Sequence, residues 1–169
     1  MLDLETFTFR DDGKFPNSPL PLLLYRGAVE PDASAIEQIF QRNGWANSWR
    51  DGIYRFHHFH SIAHEVLGIA AGEVSVTFGG PSGEVLTVRA GDVVVIPAGV
   101  AHYNDGQSPD LLVIGAYPGG AEYDIKRGDP AEYEAVRRAI AAVPVPERDP
   151  ITGQAMTLWA TEASRPSSS

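Results

Sequence analysis

The sequence predicts a mostly β, single-domain protein built as a small sandwich or barrel. Two observations carry that expectation. Between Trp45 and Tyr117 the apolar segments are short, β-branched and alternating, and turn residues separate them at short intervals. That is the texture of many short strands, each with a face toward one core. The 169 residues also include 17 Gly and 13 Pro, a bias toward turns over long helices. A chain of this length suits one domain with a real core, and hydrophobic and charged fractions of 43% and 21% are those of an ordinary globular protein.

Two edge strands are expected in the first thirty residues, around Phe7-Thr8-Phe9 and the run Leu22 to Tyr25, where Pro16, Pro19 and Pro21 block helix. Ile36, Ile39 and Phe40 recur at helical spacing between Asp32 and Asn43-Gly44, which predicts a short amphipathic helix with an Asn-Gly stop. Strands are then expected at residues 54–60, 65–70, 73–78, 84–89, 93–96 and 111–117, broken by Gly72, by 79–83, by Ala90-Gly91-Asp92 and by Pro97-Ala98-Gly99. A second helix is expected over about 131–142, with Tyr133, Val136 and Ile140 on its apolar face. The proline-rich stretch 144–150 reads as extended chain that carries Leu158 and Trp159 to a final anchor. One domain over residues 1–162 follows: a barrel core at about 45–118, N-terminal strands and helix in 1–44, a C-terminal helix and extended segment in 119–162. Residues 163–169 read as a disordered tail.

Composition excludes several partners. A net charge of -9 and only two lysines, Lys14 and Lys126, argue against nucleic acid. No apolar run approaches the roughly 20 residues of a membrane helix. The first ten residues lack a basic-then-apolar pattern, so the cytoplasm is the expected compartment. With no cysteine there is no disulfide, and any metal must be held by imidazole and carboxylate.

Four of the five histidines, 57, 58, 60 and 64, fall within eight residues, and the fifth is His102. Residues two apart in a strand project to one face, about 6.5 to 7 Å apart, so His58 and His60 are placed to converge on one ion. The same parity sends His57 to the opposite face. Glu65 follows His60 by five residues, and a short turn at 61–63 returns it beside the pair. His64 is out of phase with Glu65; it is expected to support the site or lie at the surface, and it is an alternative to Glu65 as ligand. Gly91-Asp92 suits a tight turn, Pro97 ends a ladder, and Gly99 permits a reversal that aims His102 at the barrel mouth.

These residues resemble the cupin family. Its first motif is matched by Gly52, His58, His60, Glu65 and Gly72, and its second by Gly91, Pro97, Gly99 and His102. The asparagine that closes the second motif is absent: position 106 is Gly, and the nearest candidate is Asn104. Residues 60–68, 91–100, 115–118 and 144–150 look like the bacterial YjlB-like single-domain cupins, a group without an established reaction. The resemblance implies a double-stranded β-helix, or jelly-roll, barrel with two short flanking helices. It also implies one divalent metal ion per chain at His58, His60, Glu65 and His102, and commonly a homodimer.

Three imidazoles and a carboxylate suit Fe, Mn, Ni, Zn or Co and leave two octahedral positions open. Strand parity expects Tyr54, Phe56, Leu67 and Ile69 to face the same pocket, with His64 and Asn104 as further wall or support. The leading expectation is a metal-dependent enzyme, oxygenase ahead of isomerase, on a small organic molecule. The alternative is a non-catalytic cupin that binds or senses a small molecule or metal. A phosphosugar enzyme is disfavoured because Arg55 shares the outward parity of His57, which leaves Arg89, at a strand end, as the candidate for a phosphate.

Overall fold

A computed structural model describes residues 2–160. Nine strands follow in order: β1 (Asp3–Phe9), β2 (Ser18–Arg26), β3 (Trp45–Asp51), β4 (Glu65–Ala71), β5 (Glu73–Phe78), β6 (Glu84–Arg89), β7 (Val93–Ile96), β8 (His102–Gln107) and β9 (Leu112–Pro118). Helix α1 (Ala33–Arg42) lies between β2 and β3, and α2 (Tyr133–Ala142) follows β9. The strands form a six-stranded sheet, β1-β2-β7-β4-β9-β3, and a three-stranded sheet, β6-β5-β8, with every pairing antiparallel. Strands distant in sequence are neighbours in space, as a jelly roll requires. No described helix is long and apolar enough to cross a membrane.

The barrel interior takes one residue in two from each strand. Leu22 and Leu24, Leu67 and Ile69, and Val94 and Ile96 meet Val74, Val76 and Phe78 of the smaller sheet in one buried cluster. The larger sheet is covered on its outer face as well. Leu23, Val66, Val93, Val95 and Ile114 lie under Ile36 and Phe40 of α1 and under Trp45, Met156 and Trp159. Burial on both faces explains the unbroken apolar runs of β2, β4 and β7. The smaller sheet keeps a wetter outer face, with Ser75, Thr77 and Thr87 alternating against the core residues.

Local signals fix α1. The Asp32 carboxylate accepts from Ala35 N at 2.9 Å as N-cap, and Gly44, with φ of 84°, ends the helix. The helix sits directly on β4: a Cβ at Gly68 would lie 2.6 Å from Ile36, so a side chain there would lift the helix off the sheet. Before α2, Pro130–Glu132 form one 3-10 turn capped by Asp129. Val136 then packs with Phe15, Phe59 and Ala101.

The structure corrects the sequence reading at four places. Residues 54–60 are not a strand; they touch the barrel through two isolated bridges, His58 to His102 and Phe59 to Lys126. β3 and β8 were not expected. Both are polar, and β3 carries Asn47 at φ 57° beside an irregularity in its pairing with β9, so neither shows alternation. β2 is interior, between β1 and β7. Pro19 and Pro21 fall between Ser18 and Leu22, where neither neighbour is in register, so the missing N–H groups cost no ladder bond. Of the two residues expected to anchor the C-terminus, Trp159 is fully buried and Leu158 is 51% exposed. The tail assigned to 163–169 lies outside the described residues.

The extended C-terminal segment is held by polar bonds as well as packing. Asp149 is buried; it accepts from the Tyr25 hydroxyl, from Ile151 N at 2.7 Å and from Thr152 N at 2.9 Å. Burial, then Asp149, pushes the Tyr25 phenol well above its usual range, so it stays the donor. The Trp45 indole donates to Arg148 O at 2.9 Å, and the Trp159 indole to Pro21 O at 2.7 Å.

Candidate metal centre

The histidine pair owes its aim to the two bridges. His58 N donates to His102 O and His102 N to His58 O, while Phe59 and Lys126 exchange the same pair of bonds on the other side. These are enough to impose strand alternation without a strand. His58 and His60 face the barrel interior, and Phe59 turns away into the cluster with Phe15 and Val136. His57 also turns away, packing between Phe15 and Tyr103. Gly99, at φ 97°, donates its N–H to His60 O at 2.8 Å; a Cβ there would collide with Asn17 O. That turn delivers His102 beside His58, their rings 4.1 Å apart.

Glu65 opens β4 at the centre of the site. Its Oε2 lies 3.2 Å from His60 Nε2 and its Oε1 3.3 Å from His102 Nε2. One donor atom from each of His60, Glu65 and His102 lies within 4.8 Å of the others, and all three residues are buried. His58 is buried on the same floor, though its nitrogen falls outside that tight group.

Hydrogen bonding determines which nitrogen of each ring is free. His58 Nδ1 meets Phe56 O at 2.9 Å, His102 Nδ1 meets Val100 O at 3.1 Å, and His60 Nδ1 meets Asp124 O. A carbonyl oxygen only accepts, so each Nδ1 carries the proton and each Nε2 presents a lone pair to the site. Two such nitrogens against a carboxylate would be lone pair facing lone pair. The contacts are stable only with positive charge between them, from a second proton on an imidazole or from a metal ion. Burial alone would push the Glu65 carboxyl up, but His60 and His102 outweigh it and hold the group below the usual carboxylate range. His60 is raised: burial opposes its charge, and the Glu65 carboxylate more than compensates. His58 is pushed down to about 3 by burial and then by His102.

Further residues hold this floor in place. The Tyr117 hydroxyl donates to Glu65 Oε2 at 2.7 Å and accepts from the Trp49 indole at 2.9 Å. A Cβ at Gly115 would sit 2.1 Å from the Trp49 ring, so only glycine lets that indole lie against β9. Asp124 orients His60 through its carbonyl and holds Ser61 N through its carboxylate at 2.7 Å. Tyr123 stacks on Tyr117 with ring centroids 4.5 Å apart and meets His60 edge-on. Sequence reasoning missed Trp49, Tyr117, Tyr123 and Asp124. Tyr117 shares the inward parity of Val113 in β9 and was within reach of that signal; Tyr123 and Asp124 sit in a loop with no period to read.

Above the floor opens a cavity of about 510 Å³. Tyr54 and Leu67 line it, but Ile69 lies deeper in the core. Phe56 does not line it: the ring stacks on Tyr54 at 4.9 Å, and the Arg127 guanidinium covers it at 3.9 Å. Asn104 is buried to one side, bonded to Ile53 O, Gln107 and Gly106 N, so it supports the cavity edge without facing the site. His64 points into the outer layer, accepting from Ala98 N at 2.8 Å and packing on Trp159 at 4.7 Å. Strand phase separates it from Glu65, as adjacent residues of a strand must separate.

Two facing antiparallel sheets with imidazoles and a carboxylate converging inside are the mark of one class. Residues 50–119 match the cupin family, and the chain belongs to it. One relative is the uncharacterized protein YjlB of Bacillus subtilis (strain 168), 44% identical over 153 residues, which are 90% of this chain and 92% of that one. Among solved structures, acireductone dioxygenase from Bacillus anthracis with cadmium in its active centre is 18% identical, covering 53% of this chain and 60% of that one with a TM-score of 0.39. The DMSP lyase DddQ from Ruegeria pomeroyi DSS-3 is 17% identical, covering 76% and 52%, with a TM-score of 0.39. The chain thus spans less than two thirds of either solved structure.

Proposed function

We propose that His60, Glu65 and His102, joined by His58, hold one divalent metal ion, and that the protein is a metal-dependent enzyme acting on a small organic molecule. The observation that carries this reading is the arrangement of the ring nitrogens. Three Nδ1–H groups are tied to backbone carbonyls, which leaves the Nε2 lone pairs of His60 and His102 directed at a buried carboxylate and that of His58 free beside them. The donor set of imidazole nitrogen and carboxylate oxygen suits Fe, Mn, Ni, Zn or Co. Such an ion, when bound, supplies Lewis-acid polarisation of a substrate oxygen or redox activation of dioxygen, the chemistry of isomerase-type and oxygenase-type cupins.

The protein's own contribution is placement. Tyr117 keeps the Glu65 carboxylate turned between His60 and His102, and the Trp49 indole keeps the Tyr117 hydroxyl pointed that way. Asp124 fixes the tautomer of His60. Leu67 and Leu111 make part of the wall apolar and limit water near the floor.

Elemental analysis of the purified protein is the test. Close to one equivalent of a transition metal per chain is expected, and it falls away in His60→Ala and His102→Ala variants that keep the β signature by circular dichroism. Metal content indifferent to both substitutions sinks the reading. The homodimer belongs to the same proposal, supported by β1, an edge strand that pairs only with β2 among the described residues. Light scattering on the eluting protein should read twice 18.2 kDa; a chain mass of 18.2 kDa at every concentration removes the dimer.

A further inference from the structure

The cavity over the centre has an unusual charge inventory. Much of its wall is aromatic, formed by Trp49, Tyr54 and Tyr123 together with Tyr117 beside the floor. Its other polar members away from the floor are Asp51 and Gln107, and among the described residues that line it there is no lysine or arginine. Arg55, beside Tyr54, is exposed and does not line the cavity, and the other cations near in sequence are engaged elsewhere. Arg127 lies over Phe56, Lys126 is paired with Glu132 at 2.6 Å, and Arg50 is paired with Glu37 at 2.8 Å. Away from the floor, a phosphate or a second carboxylate on a ligand would therefore lose water and gain no counter-charge, which is costly. A positive group meets the reverse situation: the Asp51 carboxylate, an aromatic lining, and a chain whose net charge of -9 draws cations toward it.

Resting on the reading of the floor as the reactive end, we propose that this cavity takes a small organic amine. Its ammonium group lies toward Asp51 and the aromatic lining of Trp49, Tyr54 and Tyr123, and its apolar body lies against Leu67 and Leu111. Tyr54 is half exposed and Tyr123 is 41% exposed, so both line the cavity and still meet solvent, where an entering cation is still partly hydrated. Asp51 has a bond from Gly52 N at 2.8 Å, which steadies the carboxylate while leaving its other oxygen for a ligand.

The test is calorimetric titration with three probes that share one ring and differ in head charge: benzylamine, benzyl alcohol and phenyl phosphate. Each is measured on protein as purified and on protein stripped with a chelator. Benzylamine is expected to bind roughly tenfold more tightly than benzyl alcohol in both forms, the size of one partly desolvated cation–π or ion-pair contact. Phenyl phosphate is expected not to bind the stripped form. Asp51→Asn, an exposed position that does not enter the core, should erase most of the preference for the amine and leave benzyl alcohol within about twofold. Equal binding of amine and alcohol, binding of phenyl phosphate to stripped protein as tight as that of the amine, or no binding by any of the three overturns the proposal. The stripped protein reports on the wall alone. A failure of the metal reading therefore leaves the amine preference intact, and a failure of the amine preference leaves the metal content unchanged.

Discussion

Glu65→Gln should abolish stoichiometric metal. The substitution keeps the size of the side chain and removes the charge that His60 and His102 share at 3.2 and 3.3 Å. An amide also presents an N–H₂ toward one of the two Nε2 lone pairs, satisfying by hydrogen bond what a cation would otherwise satisfy. Loss of a group that supports a ligand typically costs ten- to a hundredfold in affinity, and loss of the carboxylate itself should exceed the upper figure. Tyr117→Phe is the graded companion. It deletes the 2.7 Å bond to Glu65 and leaves the Trp49 indole without its acceptor, so a ten- to hundredfold weakening is expected with the carboxylate still present. Competition against a metallochromic chelator measures both. If Glu65→Gln holds metal as tightly as the parent, the carboxylate is not a ligand.

Trp159→Ala should be the most damaging single change outside the centre. The indole is fully buried, donates to Pro21 O at 2.7 Å and packs on His64. Truncating such a residue costs about 3–5 kcal/mol, part of it transfer and part the cavity left behind. For a chain of this size that corresponds to a Tm lower by on the order of 10 °C. Leu158→Ala, one residue away but half exposed, should stay within about 0.5 kcal/mol. Thermal unfolding by circular dichroism compares the two directly. A Trp159→Ala protein that melts with the parent would mean that the C-terminal segment does not hold the outer face of the sheet.

The same contrast between neighbours recurs through the chain and explains what was legible in advance. β4 to β7 and helix α1 were readable because their residues obey a local period, two for strands and 3.6 for the helix. The ligand candidates were readable for the same reason: His58 and His60 two apart, Glu65 out of phase with His64, His102 behind the Pro97–Gly99 turn. β3 and β8 were not, because their pairing comes from β9 and β5 and their own side chains are mostly polar. The assignment of 54–60 to a strand failed in a useful way. Its parity argument held at His57, His58 and His60, where two bridges impose the alternation of a full ladder, and failed at Phe56, which lies before them.

The support of the site was the least legible part. Tyr117 comes from β9, Trp49 from β3, and Asp124 from a loop about sixty residues after the histidine it orients. Parity within β9 gives the face of Tyr117, but nothing within a few residues announces the partner of any of the three. The sequence by itself determined the barrel, the family and which side chains share a face in β4 to β7, because periodicity and turn chemistry act over a handful of residues. Only the tertiary structure decided that Glu65 lies between His60 and His102, that Phe56 leaves the cavity while Tyr123 enters it, and that no lysine or arginine lines its described wall. Those outcomes depend on which distant strands pair and where loops close, and burial and charge balance over the whole molecule set them.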